Sequence, residues 1–387
     1  MLLFQVWQVL KTCQASLKSG NYYIPQKEET ASFIMEIHAL LKQAVDLGAS
    51  DLHLTVGSQP VCRLCGELEK IEDSVSLTES LATDLLRSIM TEAQRAKFEQ
   101  RHDLDFAYDV GGIGRFRVNV FMQVHGLGAV FRVIPENIAP LEELHLPKAV
   151  AEFTRLSRGL VLITGPTGHG KSTTLASMID HINHHRKTHI ITIEDPIEFI
   201  HHNKQSLINQ REVGNHSDSF ASALRSAFRE DPDVIMIGEL RDLETISLAI
   251  TAAETGHLVF GTLHTGSAAK TIDRIIDVFP VEQHAQIRTQ LSESISGVLS
   301  QQLLKRVDGT GRVAAVEILH GVPALAHLIR EGKTYQIPSI IQTGRREGMQ
   351  TMDQAIVELL KQGQISPEEA HDKCVDRETF QRYLGKI

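Results

Sequence analysis

The stretch Gly159-Leu-Val-Leu-Ile-Thr-Gly-Pro-Thr-Gly-His-Gly-Lys-Ser-Thr173 decides the fold of this chain. Its apolar residues at 160–164 predict a buried strand, the glycines that follow predict a tight loop, and a helix is predicted from Thr173. Glycines let backbone N–H groups close around phosphate oxygens, and the helix directs the positive end of its dipole at them. The order of strand, Gly-x-x-x-x-Gly-Lys-Ser loop and helix therefore predicts a phosphate-binding P-loop.

Two side chains of this loop can carry chemistry. Lys171 can place a positive charge on the β- and γ-phosphates of a nucleotide, and the hydroxyl of Ser172 can bind Mg²⁺. Together they predict an ATPase that depends on Mg²⁺. The predicted nucleotide-binding residues are Gly165, Pro166, Thr167, Gly168, His169, Gly170, Lys171, Ser172 and Thr173.

The chain around the P-loop alternates between apolar runs and helical patterns. The runs are suited to buried parallel strands, and they lie at 160–164, 190–194, 234–238 and 257–263. This alternation predicts an α/β domain at 159–339 with a doubly wound parallel sheet. The charged tail at 340–387 has helical patterns without a strand pattern, so we expect a helical C-terminal region.

The first part of the chain has a different texture. Residues 33–46 and 77–99 have helical patterns, and short alternating strands lie between and after them. Helices with antiparallel strands at this spacing predict a small α+β domain at 35–134. Prolines punctuate the next segment, so we expect a linker over 135–158.

Composition argues against several classes of protein. The formal charge of −9 over 387 residues gives no basic footprint for nucleic acid. Four cysteines in a chain of this length are typical of reduced thiols in a cytoplasmic protein, and the pair Cys62 and Cys65 lacks the second pair of a zinc site. No apolar run reaches the about 20 residues that cross a bilayer.

The N-terminal residues MLLFQVWQVL are apolar but lack the basic region and cleavage site of a signal peptide. They could form a short amphipathic helix on a membrane or a neighbouring subunit. They could also be an adventitious extension, because Met35 opens the first strongly patterned segment. We expect residues 1–34 to be dispensable.

Acidic side chains follow the second strand, in Ile191-Thr-Ile-Glu-Asp-Pro-Ile-Glu-Phe199. Ligands of open α/β sheets bind at the carboxyl ends of the strands, so Glu194 and Glu198 can face the nucleotide. One of them can act as the general base for the attacking water. A solvated turn capped by Asp195 explains the same pattern, and the residues alone leave both interpretations open.

Two further strand ends carry candidate side chains. Glu239 stands just past the buried strand Val234–Ile237, which downstream of a P-loop is the position of a carboxylate that holds Mg²⁺ or polarises water. His257 and His264 lie at the two ends of the next strand. His264 could sense the γ-phosphate or link subunits, although a histidine at a strand end is commonly structural.

Four stretches taken together resemble one family of motors. GPTGHGKSTT, TIEDPIEF, LRSAFREDPDVIMIGELRDLETI and AAETGHLVFGTLHT are similar to the Walker A, Asp box, Walker B and His box of secretion-motor ATPases. They are most similar to those of the PilT family of type IV pilus retraction ATPases, and the resemblance begins near Met35. It implies a homohexameric ring whose subunits have a PAS-like N-terminal domain and a RecA-like ATPase domain.

The resemblance also implies roles for individual residues. Glu198 matches the catalytic glutamate of the Asp box, with Glu194 beside it, and Glu239 matches the Walker B acid and metal ligand. His257 and His264 match the His box. Arginines of the N-terminal domain that reach the γ-phosphate are matched by Arg115, Arg117 and Arg132.

Three positions depart from the family pattern. His169 stands where the family usually has serine, and His125 stands where many relatives have an arginine. The C-terminal motif Ala-Ile-Arg-Asn-Leu-Ile-Arg-Glu, tied to retraction, is here Ala324-Leu-Ala-His-Leu-Ile-Arg-Glu331. The last departure concerns force coupling rather than hydrolysis.

The family resemblance implies an ATP-hydrolysing motor that drives pilus retraction and twitching motility. Such a motor is cytoplasmic and is held peripherally at the inner membrane by the platform protein of the pilus machine, with an accessory retraction ATPase as a further candidate partner. Two alternatives stay open: a pilus-assembly or type II secretion ATPase, and a weakly active accessory subunit. Nucleic acid is not a predicted partner.

Overall fold

The computed structural model describes residues 27–64, 67–72, 74–135, 138–309, 311–377 and 380. The chain divides by its contacts into two units, Met1–Glu136 and Asn137–Ile387, each with hydrophobic core of its own. Residues 1–26 of the expected extension, Cys65 and the last residues of the tail lie outside the described residues.

The first unit combines helices with an antiparallel sheet. Its elements are α1 (Lys27–Asp46), β1 (Asp51–Thr55), β2 (Val61–Leu64), β3 (Glu67–Lys70), α2 (Glu79–Ser88), α3 (Glu92–Arg101), β4 (Asp103–Val110), β5 (Gly114–Gln123) and β6 (Gly126–Ile134). Among the described residues the strands lie in the order β3-β2-β1-β6-β5-β4, and each neighbouring pair is antiparallel.

Two helix predictions for this unit were wrong in extent. The helix predicted over 33–46 begins earlier, at Lys27. The stretch predicted as one helix over 77–99 forms two helices, because Thr91 caps the second of them. The Thr91 hydroxyl accepts the backbone N–H of Gln94, and the Gln94 side chain accepts the backbone N–H of Thr91.

Strand β5 shows how this sheet separates core from surface. Phe116, Val118 and Val120 are fully buried, whereas Arg117 between them is exposed. Successive side chains of a strand point to opposite faces, so the arginines at 115 and 117 share the surface face. Arg132 on β6 lies directly opposite Arg117 and therefore joins the same face.

The second unit is a seven-stranded sheet with helices, as far as its residues are described. Its elements are α4 (Lys148–Phe153), β7 (Gly159–Thr164), α5 (Lys171–His185), β8 (His189–Glu194), β9 (Leu207–Glu212), α6 (Phe220–Ala227), β10 (Val234–Ile237), α7 (Leu243–Glu254), β11 (Leu258–Leu263), α8 (Ala268–Asp277), α9 (His284–Ser294), β12 (Ile295–Lys305), β13 (Arg312–His320), α10 (Pro323–Arg330), α11 (Ile337–Thr343), α12 (Met352–Lys361) and α13 (Pro367–Lys373). The strand order is β13-β12-β7-β11-β10-β8-β9.

The four predicted strands, which are β7, β8, β10 and β11, are confirmed to within one residue at each end. They are parallel to their neighbours, but β13 runs antiparallel to β12, so the sheet is mixed rather than wholly parallel as predicted. Strands β9, β12 and β13 were not predicted, and two of them, β9 and β12, contribute side chains to the site. The sequences of these two, LINQRE and ISGVLSQQLLK, lack the continuous apolar run on which the prediction depended.

Residues 141–153, within the expected linker, belong to the core of the second unit. Pro140 precedes a short 3-10 helix, and Pro147 precedes α4. Val150 and Phe153 of α4 are buried against the sheet. The prolines therefore start helices here, where their missing N–H group has no helical partner to lose.

The C-terminal helices pack on the hairpin formed by β12 and β13. Leu304 and Val313 of the hairpin share a buried cluster with Met352 and Ile356 of α12. The predicted helical tail is helical over most of what the structure describes of it. Among the described helices, each is too short or too polar to cross a membrane.

Candidate nucleotide-binding site

The P-loop lies between β7 and α5, where the sequence predicts it. Gly165, Gly168 and Gly170 have φ values of 142°, 76° and 79°, which side chains rarely allow. Helix α5 begins at Lys171 and has Gly170 as its N-cap, without a capping side chain. Its first N–H groups are thus left to an anion, as a nucleotide phosphate requires.

Lys171 is held inside this loop. Its side chain is buried, and Nζ donates to the carbonyl oxygens of Gly165 at 2.8 Å and Pro166 at 3.0 Å. Burial lowers the pKa of Lys171, while the negative charges of Glu239 and Glu198 act in the opposite direction. The carboxylates of Glu239 and Glu198 therefore lie within electrostatic reach of the P-loop lysine.

His264 connects the P-loop to Glu239. Its Nε2 lies 3.2 Å from Oε1 of Glu239, and its Nδ1 lies 3.5 Å from Nζ of Lys171 and 3.4 Å from the hydroxyl of Thr167. Lysine can only donate, so Nδ1 is the acceptor and Nε2 carries the proton that faces the carboxylate. The histidine therefore contacts both the P-loop and Glu239.

Glu239 is engaged through both of its carboxylate oxygens. Arg241 donates from Nη2 to Oε2 at 2.7 Å, and His264 faces Oε1. Burial acts to raise the pKa of Glu239, but the hydrogen bond and charge of Arg241 and the contact with His264 outweigh it and hold that pKa below its usual value. Glu239 is consequently an ionised carboxylate at neutral pH.

The two glutamates that follow β8 have different surroundings. Glu194 is 6% exposed and accepts the Thr192 hydroxyl at 2.6 Å, the Gln210 amide at 3.1 Å and the backbone N–H of Glu198 at 3.4 Å. Burial raises its pKa to about 7, against the effect of these donors. Glu198 is exposed. Of the two, Glu198 can meet water, and Glu194 supports the backbone that carries it.

The residues predicted for Mg²⁺ fit a hard cation. Ser172 lies in the first turn of α5 and is partly exposed, and Glu239 offers a carboxylate at the same edge of the sheet. Hydroxyl and carboxylate oxygens are the ligands that Mg²⁺ takes in nucleotide sites.

His257 does not join this group. It precedes β11 at the amino end of the strand, whereas His264 follows the carboxyl end. Its Nδ1 lies 2.9 Å from the carbonyl oxygen of Ala252, and its ring lies 6.1 Å from that of Phe228. The two histidines of the predicted His box are therefore separated by the length of a strand.

The predicted arginines lie on the surface face of the sheet in the first unit. Arg132 donates from Nε to Oδ1 of Asp51 at 2.9 Å, and Arg117 lies 3.8 Å from Asp105. Arg115 lies two residues from Arg117 on β5 and is half-buried. Asp51 and Asp105 hold two of the guanidinium groups close to the sheet.

Sequence reasoning missed three residues that shape the site. Arg241 stands two residues beyond Glu239, where nothing in the local pattern distinguishes it from a solvated arginine. Gln210 and Gln301 come from the unpredicted strands β9 and β12, and their amides contact Glu194 and the P-loop. The roles of these two glutamines could have been predicted only together with the strands that carry them.

Comparisons with known proteins show which family the chain resembles. The profile of the family described as type II/IV secretion system protein matches residues 26–372. The chain is 52% identical over 346 residues to the type IV pilus retraction ATPase PilT of Pseudomonas aeruginosa, covering 89% of this chain and 100% of that protein. It is 52% identical over 321 residues to a twitching motility protein of Neisseria gonorrhoeae, covering 83% and 86% of the two chains.

A solved structure has the same fold. The crystal structure of the pilus retraction motor PilT with bound ADP superposes with a TM-score of 0.84 and is 48% identical in sequence. The match covers 89% of this chain and 99% of that one.

Proposed function

The chain belongs to the PilT family of type IV pilus retraction ATPases, within the type II/IV secretion system proteins, and we propose that it is the ATP-hydrolysing motor that retracts a type IV pilus. The family resemblance seen in the sequence is thereby confirmed. Hydrolysis of ATP would drive disassembly of the pilus and so twitching motility.

One observation carries the proposal: Lys171, Glu239 and His264 form a connected group at the carboxyl end of the sheet, with Glu198 in electrostatic reach. Lys171 would leave the carbonyls of Gly165 and Pro166 for phosphate oxygens, which carry more negative charge. In phosphoryl transfer the protein mainly positions groups and stabilises charge, and this group can do both.

We assign the proton acceptor to Glu198. It is exposed to water, whereas Glu194 is buried and already accepts from three donors. Glu239 and Ser172 would hold Mg²⁺, and His264 would connect Glu239 to the lysine of the P-loop. Mg²⁺, when bound, supplies positive charge that neutralises the phosphates.

We further propose that the chain works as a homohexamer. The first unit would be the PAS-like domain and the second the RecA-like ATPase domain, as the family resemblance implies. One surface face of the sheet carries Arg115, Arg117 and Arg132. We propose that these arginines contact together a nucleotide that another domain binds. A guanidinium fork suits the charge that develops on a γ-phosphate.

The motor would attach peripherally to the cytoplasmic side of the inner membrane through the platform protein of the pilus machine. An accessory retraction ATPase is a second proposed partner, and nucleic acid is not one. The two alternative functions predict different observations. Cells that lack an assembly or secretion ATPase cannot build the filament, whereas a weakly active accessory subunit hydrolyses little ATP of its own.

Deletion of the gene in its host tests the proposal. We expect cells that carry many pili, because assembly continues unopposed, and that do not twitch. Complementation with the full chain should restore twitching, and complementation with Lys171→Ala should not. Bald cells would contradict retraction and support the assembly alternative.

Hydrolysis by the purified full chain gives the second measurement. Lys171→Ala should release no phosphate above background, because no other described side chain of the P-loop can place a positive charge on the β- and γ-phosphates. Release at the wild-type rate would refute the assignment of the site. A wild-type chain that folds, binds nucleotide and hydrolyses almost none would support the accessory subunit.

A further inference from the structure

Strand β12 continues past the point where its neighbour β7 ends. The two strands are paired up to Ser300 and Thr164, after which β7 turns into the P-loop. Beyond Ser300, one edge of β12 faces the P-loop instead of a strand, and its backbone groups need other partners. Leu303 N–H donates to Nδ1 of His169 at 3.0 Å, and Lys305 N–H donates to Oε1 of Glu369 at 3.0 Å.

Gln301 makes a second connection at this edge. Its side chain is buried, Nε2 donates to the carbonyl oxygen of His169 at 2.8 Å, and Oε1 accepts the hydroxyl of Thr174 at 2.8 Å. A backbone carbonyl can only accept, which fixes the orientation of the amide. Both ends of Gln301 are therefore used to join the loop and the first turn of α5.

Strand β12 approaches the glycines of the loop closely. A Cβ at Gly165 would clash with the backbone oxygen of Gln301. A Cβ at Gly170 would lie 2.8 Å from Nε2 of Gln301. Leu303 would also contact the added atom at Gly170. These glycines thus accommodate β12 as well as the phosphates.

The ring of His169 is set up as an acceptor. Because Leu303 N–H donates to Nδ1, the ring is neutral and carries its proton on Nε2. Burial lowers the pKa of His169, and the charges of Arg312 on β13, Lys373 on α13 and Lys171 on α5 lower it further. Arg312 also donates to the carbonyl oxygen of Gly168 at 3.2 Å, and Glu369 is the carboxylate on the same edge.

We propose that His169 and Gln301 are positioning residues that hold the P-loop in its nucleotide-binding shape by tying it to the free edge of β12. The tie fixes residues 168–171, whose backbone N–H groups surround the phosphates in a P-loop. Serine, which the family usually has at position 169, carries its oxygen one bond from Cβ, whereas Nδ1 of histidine lies two bonds away. This chain therefore holds its P-loop by a contact that serine is too short to make. The inference rests on the proposed binding of nucleotide.

The test measures the Kd of ADP for the full chain between pH 5 and pH 8. His169→Leu removes the acceptor, and His169→Asn keeps one, since the amide oxygen of asparagine lies two bonds from Cβ as Nδ1 does. At pH 7.5 we expect His169→Leu and Gln301→Met each to bind ADP about tenfold more weakly. The first leaves the Leu303 N–H without its acceptor, and the second leaves the Thr174 hydroxyl and the His169 carbonyl without their partner. His169→Asn should lie closer to the wild type.

The pH profile separates positioning from simple destabilisation. Protonated His169 would set an N–H against the N–H of Leu303, so wild-type affinity should fall in acid relative to that of His169→Asn, which has no ring to titrate. His202→Asn, at an exposed histidine away from the P-loop, should follow the wild-type profile. Comparison of the variants at each pH cancels the titration of ADP itself.

Two results would overturn the inference. One is wild-type affinity in both His169→Leu and Gln301→Met at pH 7.5. The other is a His169→Asn variant whose Kd changes with pH just as that of the wild type does. Neither result touches the proposed function, which fails instead if the wild-type chain binds no nucleotide at any pH.

Discussion

The buried carboxyl group of Glu194 gives the stability of the second unit a pH dependence that a single substitution can expose. Burial raises its pKa from 4.5 to about 7. The stabilisation is therefore complete below pH 4.5 and is lost as the pH rises through 7, because the folded chain then holds a buried charge. At 1.36 kcal/mol per pH unit the whole effect is about 3 kcal/mol, and most of it falls between pH 5 and pH 8.

Glu194→Gln replaces the group with a neutral one of the same shape. Altered hydrogen bonds should change its stability by an amount that does not depend on pH. In addition, its stability relative to the wild type should rise by about 2–3 kcal/mol from pH 5 to pH 8. For a unit of this size 1 kcal/mol moves the thermal midpoint by about 2–4 °C, so the difference in midpoint should change by about 5–10 °C.

The assay is thermal unfolding of the full chain, without nucleotide, at several pH values from 5 to 8. Glu143→Gln, at an exposed carboxylate of the same unit, is the matched control and should follow the wild type. The His201 and Glu317 side chains, whose pKa values burial also shifts, are present in all three chains and cancel in the comparison. A midpoint difference that stays flat with pH, or that changes in the opposite direction, would refute the reasoning.

Three further predictions follow from the site and the first unit. Glu198→Gln should bind Mg·ATP normally and lose about 10²- to 10⁴-fold in single-turnover hydrolysis, whereas Glu239→Gln should also bind Mg²⁺ more weakly. Wild-type hydrolysis by Glu198→Gln beside an inactive Glu194→Gln would assign the base to Glu194 instead. Changing Arg115, Arg117 or Arg132 to Ala should lower turnover more than ATP affinity, and a loss confined to the dissociation constant would contradict their role at the γ-phosphate. A chain that starts at Met35 should still form hexamers and hydrolyse ATP; failure in sedimentation and phosphate-release assays would show that residues 1–34, which include the start of α1, are structural.

The parts of the site that local sequence defines were predictable. An apolar strand followed by glycines and Lys171 is typical of a phosphate-binding loop. Glu239 follows a buried strand in the same way. Carboxyl ends of parallel strands meet at one edge, which is why residues far apart in the chain could be expected together. The four strands β7, β8, β10 and β11 of this half therefore followed from their apolar runs.

The parts that depend on distant partners were not predictable. The local pattern does not distinguish Glu194 from Glu198. One of the contacts that surround the buried Glu194 comes from the amide of Gln210, which lies on an unpredicted edge strand. The contact between Gln301 and His169 joins residues that no periodicity relates. A polar strand such as β12 is stabilised by its neighbours, so its own sequence does not reveal it.

The position of β12 in the sheet has a consequence for how the protein is made. Strand β7, which is fully buried, lies between β11 and β12, yet β12 is synthesised after β11, α8 and α9. A nascent chain on the ribosome therefore carries the P-loop strand with one edge of unpaired backbone groups, between faces of apolar side chains, until Ile295–Lys305 has left the exit tunnel. Until then other chains can pair wrongly with this edge. We expect ADP to prevent little of this pairing, because the segment that shapes the nucleotide-binding loop has not yet been made.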